Sequence, residues 1–368
     1  MTKLFELIRA EVVRRGVLPF ARFMELALYC PEYGYYETKK DNPGRRGDFY
    51  TSVSVGNLFG ELLAFQFAEW LEEIKTDSTL NLIEAGAHDG QLAKDILSWL
   101  QNHRPKLFEQ IHYGLIEPSL NRQNWQRETL KEFPNVRWIS KFNDSTIQRF
   151  NGIIFSNELL DAFPIHRFGW DAKGKKWFEW GVAFDGEKFI WARMSDSLAP
   201  QSGEKAGVRG ASVDFPSALL EVLPDNYTVE ISPAAENWWC DAANILGKGK
   251  LLTIDYGFTA DEQFSPARTN GTLRAYFRHH LADDILANVG EQDLTAHVNF
   301  SAIQKVGETA GLKTEFFSTQ TKFLTQILEK TLIDRNFEKI SGARARQFQT
   351  LTHPEHLGRA FKVLVQSR

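Results

Sequence analysis

The sequence of 368 residues has little cysteine and no long apolar run. Its two cysteines, Cys30 and Cys240, are too few and too far apart for a disulfide framework or a zinc site, so a reducing compartment is expected. A membrane-spanning helix needs about 20 consecutive apolar residues, and no segment approaches this. The N-terminal segment mixes charged with apolar residues, unlike a signal peptide. We expect a bacterial cytoplasmic protein with no targeting segment and no membrane insertion.

The net charge is also small. The 43 Lys and Arg residues nearly balance the 47 Asp and Glu residues, which leaves a net charge of −4. A chain with this balance has no basic field that would attract nucleic acid or an anionic membrane. Hydrophobic residues make up 43% and charged residues 24%, which is typical of a soluble globular protein. Ten tryptophans and 28 phenylalanines indicate a large aromatic core, with a broad apolar contact surface as the alternative.

Short apolar runs alternate with amphipathic segments in the first half of the chain. Residues 81–84, 111–116 and 152–155 have the pattern of buried strands, and the segments between them have helical spacing. This alternation predicts an α/β fold with a parallel sheet covered by helices on both faces. Residues 4–28 precede it and predict two amphipathic helices.

A different pattern interrupts this alternation after Phe163. Aromatic and polar residues alternate around Trp170 and Trp177, which predicts antiparallel hairpins, whereas the polar stretch 195–215 predicts a loop. The sequence therefore predicts four parts, which are a helical region with a loop (1–75), the first part of the sheet domain (76–163), an inserted β-rich lobe (164–224) and the rest of the sheet domain (225–368).

The stretch EAGAHDGQL has the profile of a strand end, a glycine turn and a helix start. Gly86 and Gly90 allow a ligand to approach the backbone at the carboxyl edge of the sheet. Glu117 ends the next strand, where an acid can accept hydrogen bonds from both hydroxyls of a ribose. The dinucleotide pattern G-x-G-x-x-G is incomplete, because His88 and Gln91 occupy two of its glycine positions. An ordinary turn with a chance acid at position 117 is the alternative.

The same turn is acidic, with Glu84 before it and Asp89 inside it. Carboxylates repel phosphates and attract cations, so the turn suits an adenosine-type ligand that is cationic and lacks phosphate. S-adenosylmethionine has these properties, because it carries a sulfonium and an ammonium group. We therefore favour S-adenosylmethionine over a nicotinamide dinucleotide as the cofactor.

Three polar residues, Asn157, Glu158 and Asp161, follow the strand at 152–155 in the run SNELLDAFP. They should lie at the same sheet edge as Gly86, where two carboxylates can orient an arginine guanidinium and accept its proton. A capped helix start explains the same residues equally well. The neighbouring histidines at 279–280 should point apart, so no metal site is predicted there, and His297 is interpreted as a structural histidine.

Seven segments together resemble one family closely, the class I S-adenosylmethionine-dependent methyltransferases that include MidA and the mitochondrial complex I assembly factor that methylates an arginine. They are GDFYTSVSVGNLFGELLA, EAGAHDGQLAKDIL, IEPSLNRQNWQRETL, SNELLDAFPIHRF, LLTIDYG, GTLRAYFRHH and DLTAHVNFSAI, in the family's order between about residues 23 and 323. The resemblance implies a Rossmann-like, seven-stranded methyltransferase sheet with N-terminal helices and an inserted antiparallel β lobe.

The resemblance also implies methyl transfer to a protein, at an arginine in the mitochondrial member. A respiratory-complex subunit is one candidate substrate, and a homodimer is compatible with the sequence. The acceptor would face three catalytic residues, Asn157, Glu158 and Asp161. The implied cofactor-binding residues are Gly47, Asp48, Phe49, Thr51, Glu84, Gly86, His88, Gly90, Glu117, Pro118 and Asn157.

Two positions depart from the family pattern. His88 replaces the middle glycine of G-x-G-x-G, and the family's T-A-P-E is Thr51-Ser52-Val53-Ser54 here. A side chain at position 88 either crowds the methionine carboxylate of the cofactor or hydrogen-bonds it, and the conformational freedom of glycine is lost. A non-catalytic assembly or binding protein with a degenerate cofactor site is therefore the second hypothesis. A methyltransferase acting on a small molecule is the third.

Overall fold

The computed structural model describes residues 2–38, 51–74, 79–142, 149–194, 205–208, 211–214, 217–278, 280–334, 337–338, 340–355 and 357–368. Within these ranges, only the backbone is described for residues 205–208, 211–214 and 217–218.

Helices and strands alternate through much of the chain. The helices are α1 (Lys3–Arg15), α2 (Phe20–Tyr29), α3 (Tyr35–Thr38), α4 (Ser52–Val55), α5 (Leu58–Glu72), α6 (Gln91–His103), α7 (Pro105–Gln110), α8 (Leu120–Thr129), α9 (Ser217–Leu220), α10 (Pro233–Ile245), α11 (Ala260–Gln263), α12 (Phe300–Thr309), α13 (Gln320–Thr331), α14 (Ala343–Thr352) and α15 (Leu357–Ala360), and a 3-10 turn spans Leu160–Ala162. The strands are β1 (Leu18–Pro19), β2 (Leu80–Ala85), β3 (Ile111–Ile116), β4 (Arg137–Ile139), β5 (Phe150–Asn157), β6 (His166–Asp171), β7 (Lys176–Phe184), β8 (Phe189–Arg193), β9 (Lys205–Val208), β10 (Ala211–Asp214), β11 (Thr228–Ile231), β12 (Leu246–Phe258), β13 (Arg274–Phe277), β14 (His280–Leu281), β15 (Asp293–Thr295), β16 (Val298–Asn299), β17 (Lys313–Thr319) and β18 (Phe361–Ser367).

Seven strands of the eight-stranded main sheet lie in the order β17, β18, β12, β5, β2, β3 and β4. The strands from β12 to β4 are parallel, whereas β18 is antiparallel to both of its neighbours. A parallel sheet is covered on both faces, which explains the continuous apolar run at Ile153, Ile154 and Phe155, all fully buried. The predicted α/β fold is confirmed, and the seven strands of this continuous order correspond to the predicted seven-stranded sheet.

Two compact units divide the chain between them. The sheet unit consists of Lys40–Leu160, Trp239–Gly257 and Ile303–Arg368 and contains the main sheet. Its core includes helix α5. This helix is buried on most of its faces, which explains why apolar residues occupy most of them. Phe67 of this helix contacts Phe155 of β5, with ring centroids 4.8 Å apart.

The β-lobe unit consists of Met1–Lys39, Asp161–Trp238 and Phe258–Ala302. Its antiparallel sheet has the order β1, β7, β6 and β11, with β8 paired to β7, and a smaller sheet has the order β14, β13 and β15. Helices α1 and α2 bury apolar residues such as Leu4 and Phe23 against it. The paired Trp170 and Trp177 confirm that the aromatic alternation marks antiparallel hairpins.

The predicted loop at 195–215 is wrong in part. Strands β9 and β10 form an antiparallel hairpin inside it, with Val208 opposite Ala211. Backbone hydrogen bonds hold a hairpin, so its strands need no strong apolar alternation, and the polar composition of this stretch concealed it.

Candidate functional site

The turn after β2 contains three residues with a positive φ angle. The angle is +75° at Gly86, +46° at His88 and +86° at Gly90, which is the N-cap of α6. A Cβ atom on Gly86 would lie 2.9 Å from Cδ1 of Leu159, just beyond β5. Position 86 therefore requires glycine both for its backbone conformation and for the close approach of the neighbouring chain.

His88 occupies a left-handed conformation that residues other than glycine, asparagine, aspartate and histidine rarely adopt. Gln126 Nε2 donates a hydrogen bond of 3.0 Å to the His88 carbonyl oxygen, and the His88 ring centroid lies 6.1 Å from that of Trp125. His88 Nε2 is buried and has no hydrogen-bond partner among the described residues. The turn thus holds a buried ring nitrogen whose hydrogen-bonding capacity is unused in the described structure.

Glu84, at the end of β2, is buried and accepts a hydrogen bond of 2.6 Å from the Tyr113 hydroxyl. Burial raises the pKa of Glu84 to about 8, because a carboxylate is poorly solvated there, although the bond from Tyr113 acts in the opposite direction. Glu84 is therefore mostly protonated at neutral pH. This corrects the expectation that Glu84 makes the turn negative, and it leaves Asp89 as the charged acid of the turn.

Glu117 lies immediately after β3 and is also buried. Its Oε1 accepts hydrogen bonds of 2.9 Å from the backbone N–H of Ser119 and from Arg122 Nε, and Arg122 Nη2 lies at the same distance. The guanidinium compensates the charge of the buried carboxylate. Pro118, the next predicted residue, is exposed.

Gln126 is a site residue that the sequence analysis missed. Its Nε2 donates to Oε2 of Glu117 at 3.2 Å as well as to the His88 carbonyl, and its Oε1 accepts from Trp138 Nε1 at 2.8 Å. One fully buried amide therefore links the ends of β2 and β3. A polar residue on the buried side of α8 is the only sequence signal of this role.

The end of β5 presents Asn157 and Glu158. Glu158 has a φ angle of +51°, and its Oε1 accepts hydrogen bonds from the Ser52 backbone N–H at 3.2 Å and from Asn157 Nδ2 at 3.0 Å. Asn157 Oδ1 is buried and has no hydrogen-bond partner in the described parts of the chain. Two polar side chains with defined orientations therefore lie one strand away from the glycine turn.

Asp255 fixes the chain that leaves β5. It is fully buried, and its Oδ2 accepts hydrogen bonds from the backbone N–H groups of Leu159 and Leu160, at 3.1 and 2.7 Å. Asp255 therefore positions this turn, a role that the sequence pattern did not predict.

Thr51 is the N-cap of the short helix α4. Its Oγ1 accepts from the Ser54 N–H, and the Ser54 hydroxyl oxygen accepts from the Thr51 N–H, each at 3.1 Å. This is a capping box, which usually ends in Glu or Gln. Ser54 therefore performs in this chain the capping that the acid of T-A-P-E would perform.

Asp161 belongs to the β-lobe unit and is buried, with a backbone oxygen that accepts from the Ala296 N–H at 2.9 Å. The neighbouring Ala162 carbonyl accepts from the Tyr29 hydroxyl at 2.9 Å. The Tyr29 ring centroid is 5.5 Å from that of Tyr36, whose hydroxyl donates to Asp293 Oδ1 at 2.7 Å. Burial, followed by the charge of Asp293, raises the pKa of Tyr36 well above its usual value.

The sheet unit brings together most of the predicted site at the carboxyl ends of β2, β3 and β5. These residues are Glu84, Gly86, His88, Gly90, Glu117, Asn157 and Glu158. Asp161 is part of the other unit, and Gly47, Asp48 and Phe49 lie outside the described residues. Over the described ranges, no three His, Cys, Asp or Glu side chains are grouped as a metal would require.

A model of an S-adenosyl-L-methionine-dependent methyltransferase family matches residues 62–318. The chain belongs to this family. The match includes the glycine turn, the acid after β3 and the end of β5. The chain is accordingly an S-adenosylmethionine-dependent methyltransferase, and S-adenosylmethionine is its cofactor.

Curated relatives align with this methyltransferase over nearly its whole length. The mitochondrial protein arginine methyltransferase NDUFAF7 homolog of Drosophila melanogaster is 26% identical and is aligned over 97% of this chain and 83% of its own. Protein arginine methyltransferase NDUFAF7 of Xenopus tropicalis is 28% identical over 96% of this chain and 84% of its own.

This methyltransferase matches the crystal structure of a methyl transferase from Burkholderia thailandensis with a TM-score of 0.81 and 30% identity. That structure contains bound S-adenosyl-homocysteine. The match covers 99% of this chain and 92% of that one. A second crystal structure from the same organism matches with a TM-score of 0.78 and 29% identity. The fold of the methyltransferase family is thereby confirmed along the chain.

The predicted site residues fit the cofactor. Gly86 leaves room at the backbone, and the buried Nε2 of His88 and Oδ1 of Asn157 offer two polar atoms that lack a partner in the described structure. Glu117 is positioned at the strand end where a ribose is expected.

In the described chain, no helix has the length and apolar character needed to cross a membrane.

Proposed function

We propose that this methyltransferase modifies an arginine side chain of a protein. The observation that carries the proposal is the Glu158 carboxylate, which is oriented by two hydrogen bonds at the end of β5, one strand from the glycine turn. A carboxylate suits the positive charge and planar donor geometry of a guanidinium. The names of the curated relatives, which are protein arginine methyltransferases, support the same acceptor.

The sheet unit binds the cofactor in this proposal. When bound, S-adenosylmethionine supplies a methyl group already activated by its sulfonium. Glu117 accepts hydrogen bonds from the ribose hydroxyls, while Arg122 and Gln126 keep its carboxylate in place. Gly86 and Gly90 let the backbone approach the ligand.

Glu158 acts on the acceptor. A guanidinium is a poor nucleophile while its charge is fully delocalised, and nearby carboxylates hold the positive charge away from the nitrogen that is attacked. A carboxylate then accepts the proton that this nitrogen loses. Asn157 Nδ2 keeps Oε1 of Glu158 oriented during these steps. Positioning and exclusion of water account for most of the rate, because the methyl donor needs no further activation.

We also propose that this is a bacterial cytoplasmic protein, and the match to two Burkholderia proteins supports the bacterial origin. A respiratory-complex subunit is a candidate acceptor, because the sequence resembles the assembly factor of mitochondrial complex I.

Methyl transfer to peptides tests the acceptor. The purified protein is incubated with S-adenosylmethionine that carries a deuterated methyl group and with a peptide library in which arginine positions are paired with lysine substitutions. Mass spectrometry should find the label on arginine side-chain nitrogens only. Label on lysine, or on small amines added in parallel while every peptide stays unlabelled, would contradict the proposal.

Glu158→Gln separates the two halves of the site. A glutamine keeps a side-chain oxygen for the Ser52 N–H but loses the charge, so turnover should fall about 10²- to 10³-fold. Binding of S-adenosylhomocysteine, measured by calorimetry, should change less than about threefold, because a glutamine preserves the local hydrogen bonds. The exposed Glu187→Gln is the matched control and should leave both quantities unchanged. Equal losses of turnover and cofactor binding would show that Glu158 is structural.

A further inference from the structure

Helix α4, whose Ser52 N–H orients Glu158, has only four residues. Helices shorter than about 12 residues are marginal in water by themselves, so the position of α4 depends on neighbouring elements. The hydrogen bonds between Thr51 and Ser54 are internal to the turn and fix its shape alone. A side chain from another helix is therefore needed to hold Ser52 beside Glu158.

Gln320, the first residue of α13, makes this connection. Its Oε1 accepts a hydrogen bond of 3.1 Å from the Ser52 hydroxyl, and its Nε2 donates one of 2.9 Å to the Leu351 carbonyl oxygen of α14. Ser52, Gln320 and Leu351 are all fully buried. Hydrogen bonds are stronger in such surroundings than in water, so this amide holds Ser52 at a fixed place against α13 and α14.

A continuous series of hydrogen bonds therefore extends from α14 to the end of β5. Gln320 binds the Leu351 carbonyl at one end and the Ser52 hydroxyl at the other. Ser52 then donates its backbone N–H to Oε1 of Glu158 at 3.2 Å. All four residues belong to the sheet unit. Glu158 has a φ angle of +51°, and a residue with such a backbone keeps its conformation only where its surroundings fix it.

The family pattern does not account for this connection. The family model ends at residue 318, before α13 begins. The pattern T-A-P-E has alanine at the position of Ser52, and alanine has no hydroxyl group to bind an amide. The contact between Ser52 and Gln320 therefore calls for an explanation from this chain alone.

We propose that Gln320 is a positioning residue for methyl transfer, which acts through Ser52 to hold the Glu158 carboxylate in the orientation that the acceptor requires. The inference rests on the proposed function, because it takes Glu158 as the residue that acts on the acceptor. Misplacement of a reacting group by about 1 Å can lower a rate about 100-fold, so a side chain that binds no substrate can still control turnover.

Two substitutions break the connection at its two ends. Gln320→Met removes the amide, whereas Ser52→Ala removes only the hydroxyl and keeps the N–H that Glu158 accepts, so the fold should tolerate it. With a peptide that takes up the deuterated methyl group, each variant should lower kcat about 5- to 50-fold. Affinity for S-adenosylhomocysteine, measured by calorimetry, should change less than about twofold, because the glycine turn and Glu117 are untouched. The exposed Gln326→Met, also on α13, is the matched control and should change neither quantity.

Double variants distinguish positioning from a general loss of structure. Ser52→Ala combined with Gln320→Met should have a kcat within about twofold of the slower single variant, because both substitutions break the same connection. In a Glu158→Gln background, Ser52→Ala should lower kcat less than about twofold, because the carboxylate through which the connection acts is absent. A full 5- to 50-fold loss in that background, or an equal loss of cofactor affinity, would overturn the inference, since Gln320 would then only stabilise the packing of α4.

A crystal structure of Ser52→Ala bound to S-adenosylhomocysteine gives a readout that needs no acceptor. Glu158 should lose its hydrogen bond to the N–H of residue 52 or occupy more than one orientation, whereas wild type should keep the bond. A single orientation with this bond intact would overturn the inference. Methyl label on lysine alone would overturn the arginine acceptor instead, and the same kinetic comparison on the lysine peptide would still decide the role of Gln320.

Discussion

At the scale of single residues, two residues of the candidate site have a strained backbone. His88 after β2 and Glu158 after β5 both have positive φ angles, and neither is glycine or asparagine. Each such residue costs of order 1–3 kcal/mol and persists only where its surroundings fix it. Here Gln126 fixes the first and the Ile254 carbonyl, which accepts from the Glu158 N–H at 2.9 Å, fixes the second. Both residues were predicted as site residues from sequence, but their conformations were not.

The strain at His88 predicts a gain in stability on its removal. In the absence of cofactor, His88→Asn should raise the free energy of unfolding by up to about 1 kcal/mol, since asparagine tolerates the left-handed region better and leaves no buried ring nitrogen unsatisfied. Urea denaturation followed by circular dichroism measures the change. His112→Asn makes the same replacement at an exposed position in β3 and should stabilise nothing. A His88→Asn protein less stable than wild type would contradict this account.

At the scale of elements, the sequence predicts those whose pattern is local. The run from β2 through the glycine turn to α6 was predicted because apolar spacing changes from a strand pattern to a helix pattern within a few residues. The hairpin of β9 and β10 was missed because backbone pairing leaves little trace in composition. Gln126 was missed because its function depends on two strand ends that lie far from it along the chain.

The hydrogen bonds of Gln126 predict how α8 supports the cofactor site. Gln126→Met keeps the volume but removes the amide, so the Glu117 carboxylate and the Trp138 indole N–H each lose a partner. Buried polar groups left unsatisfied cost about 1–3 kcal/mol each, so the free energy of unfolding should fall by about 2–4 kcal/mol. Affinity for S-adenosylhomocysteine should fall as well, because Glu117 and the His88 carbonyl lose a common anchor.

Denaturation and calorimetry measure the two effects of Gln126→Met. The exposed Gln101→Met, on α6, makes the same chemical change without a buried network and should alter neither quantity appreciably. An unchanged stability for Gln126→Met would mean that the amide bonds contribute nothing beyond packing.

At the scale of the whole molecule, segments distant along the chain meet. Leu18 pairs with Val182, and the sheet unit takes residues from three separate parts of the chain. Local patterns contain no information about such pairings, so the sequence predicted the class of fold but not these contacts.

Buried titratable groups are a second property of the whole fold. Glu84 and Asp95 have pKa values raised by burial to about 8 and about 6, and burial lowers that of His297 to about 4.

These groups give stability a pH dependence with opposing signs. A histidine with a lowered pKa contributes stability above its unfolded value of 6.5 that is lost as pH falls towards 4. A carboxyl group with a raised pKa contributes stability that is fully present below its unfolded value and is lost as pH rises through its folded value. For Glu84, the loss extends from pH 4.5 to about 8. The Glu84 shift corresponds to at most about 5 kcal/mol across this window.

Glu84→Gln tests this dependence. A glutamine oxygen still accepts the Tyr113 hydroxyl hydrogen, but it has no proton to lose, so unfolding free energy should fall less steeply between pH 6 and pH 9 than in wild type. Urea titrations at pH 6, 7, 8 and 9 give the two curves, and the exposed Glu109→Gln should reproduce the wild-type slope. Parallel curves for wild type and Glu84→Gln would mean that Glu84 is ionised in the folded protein throughout this range.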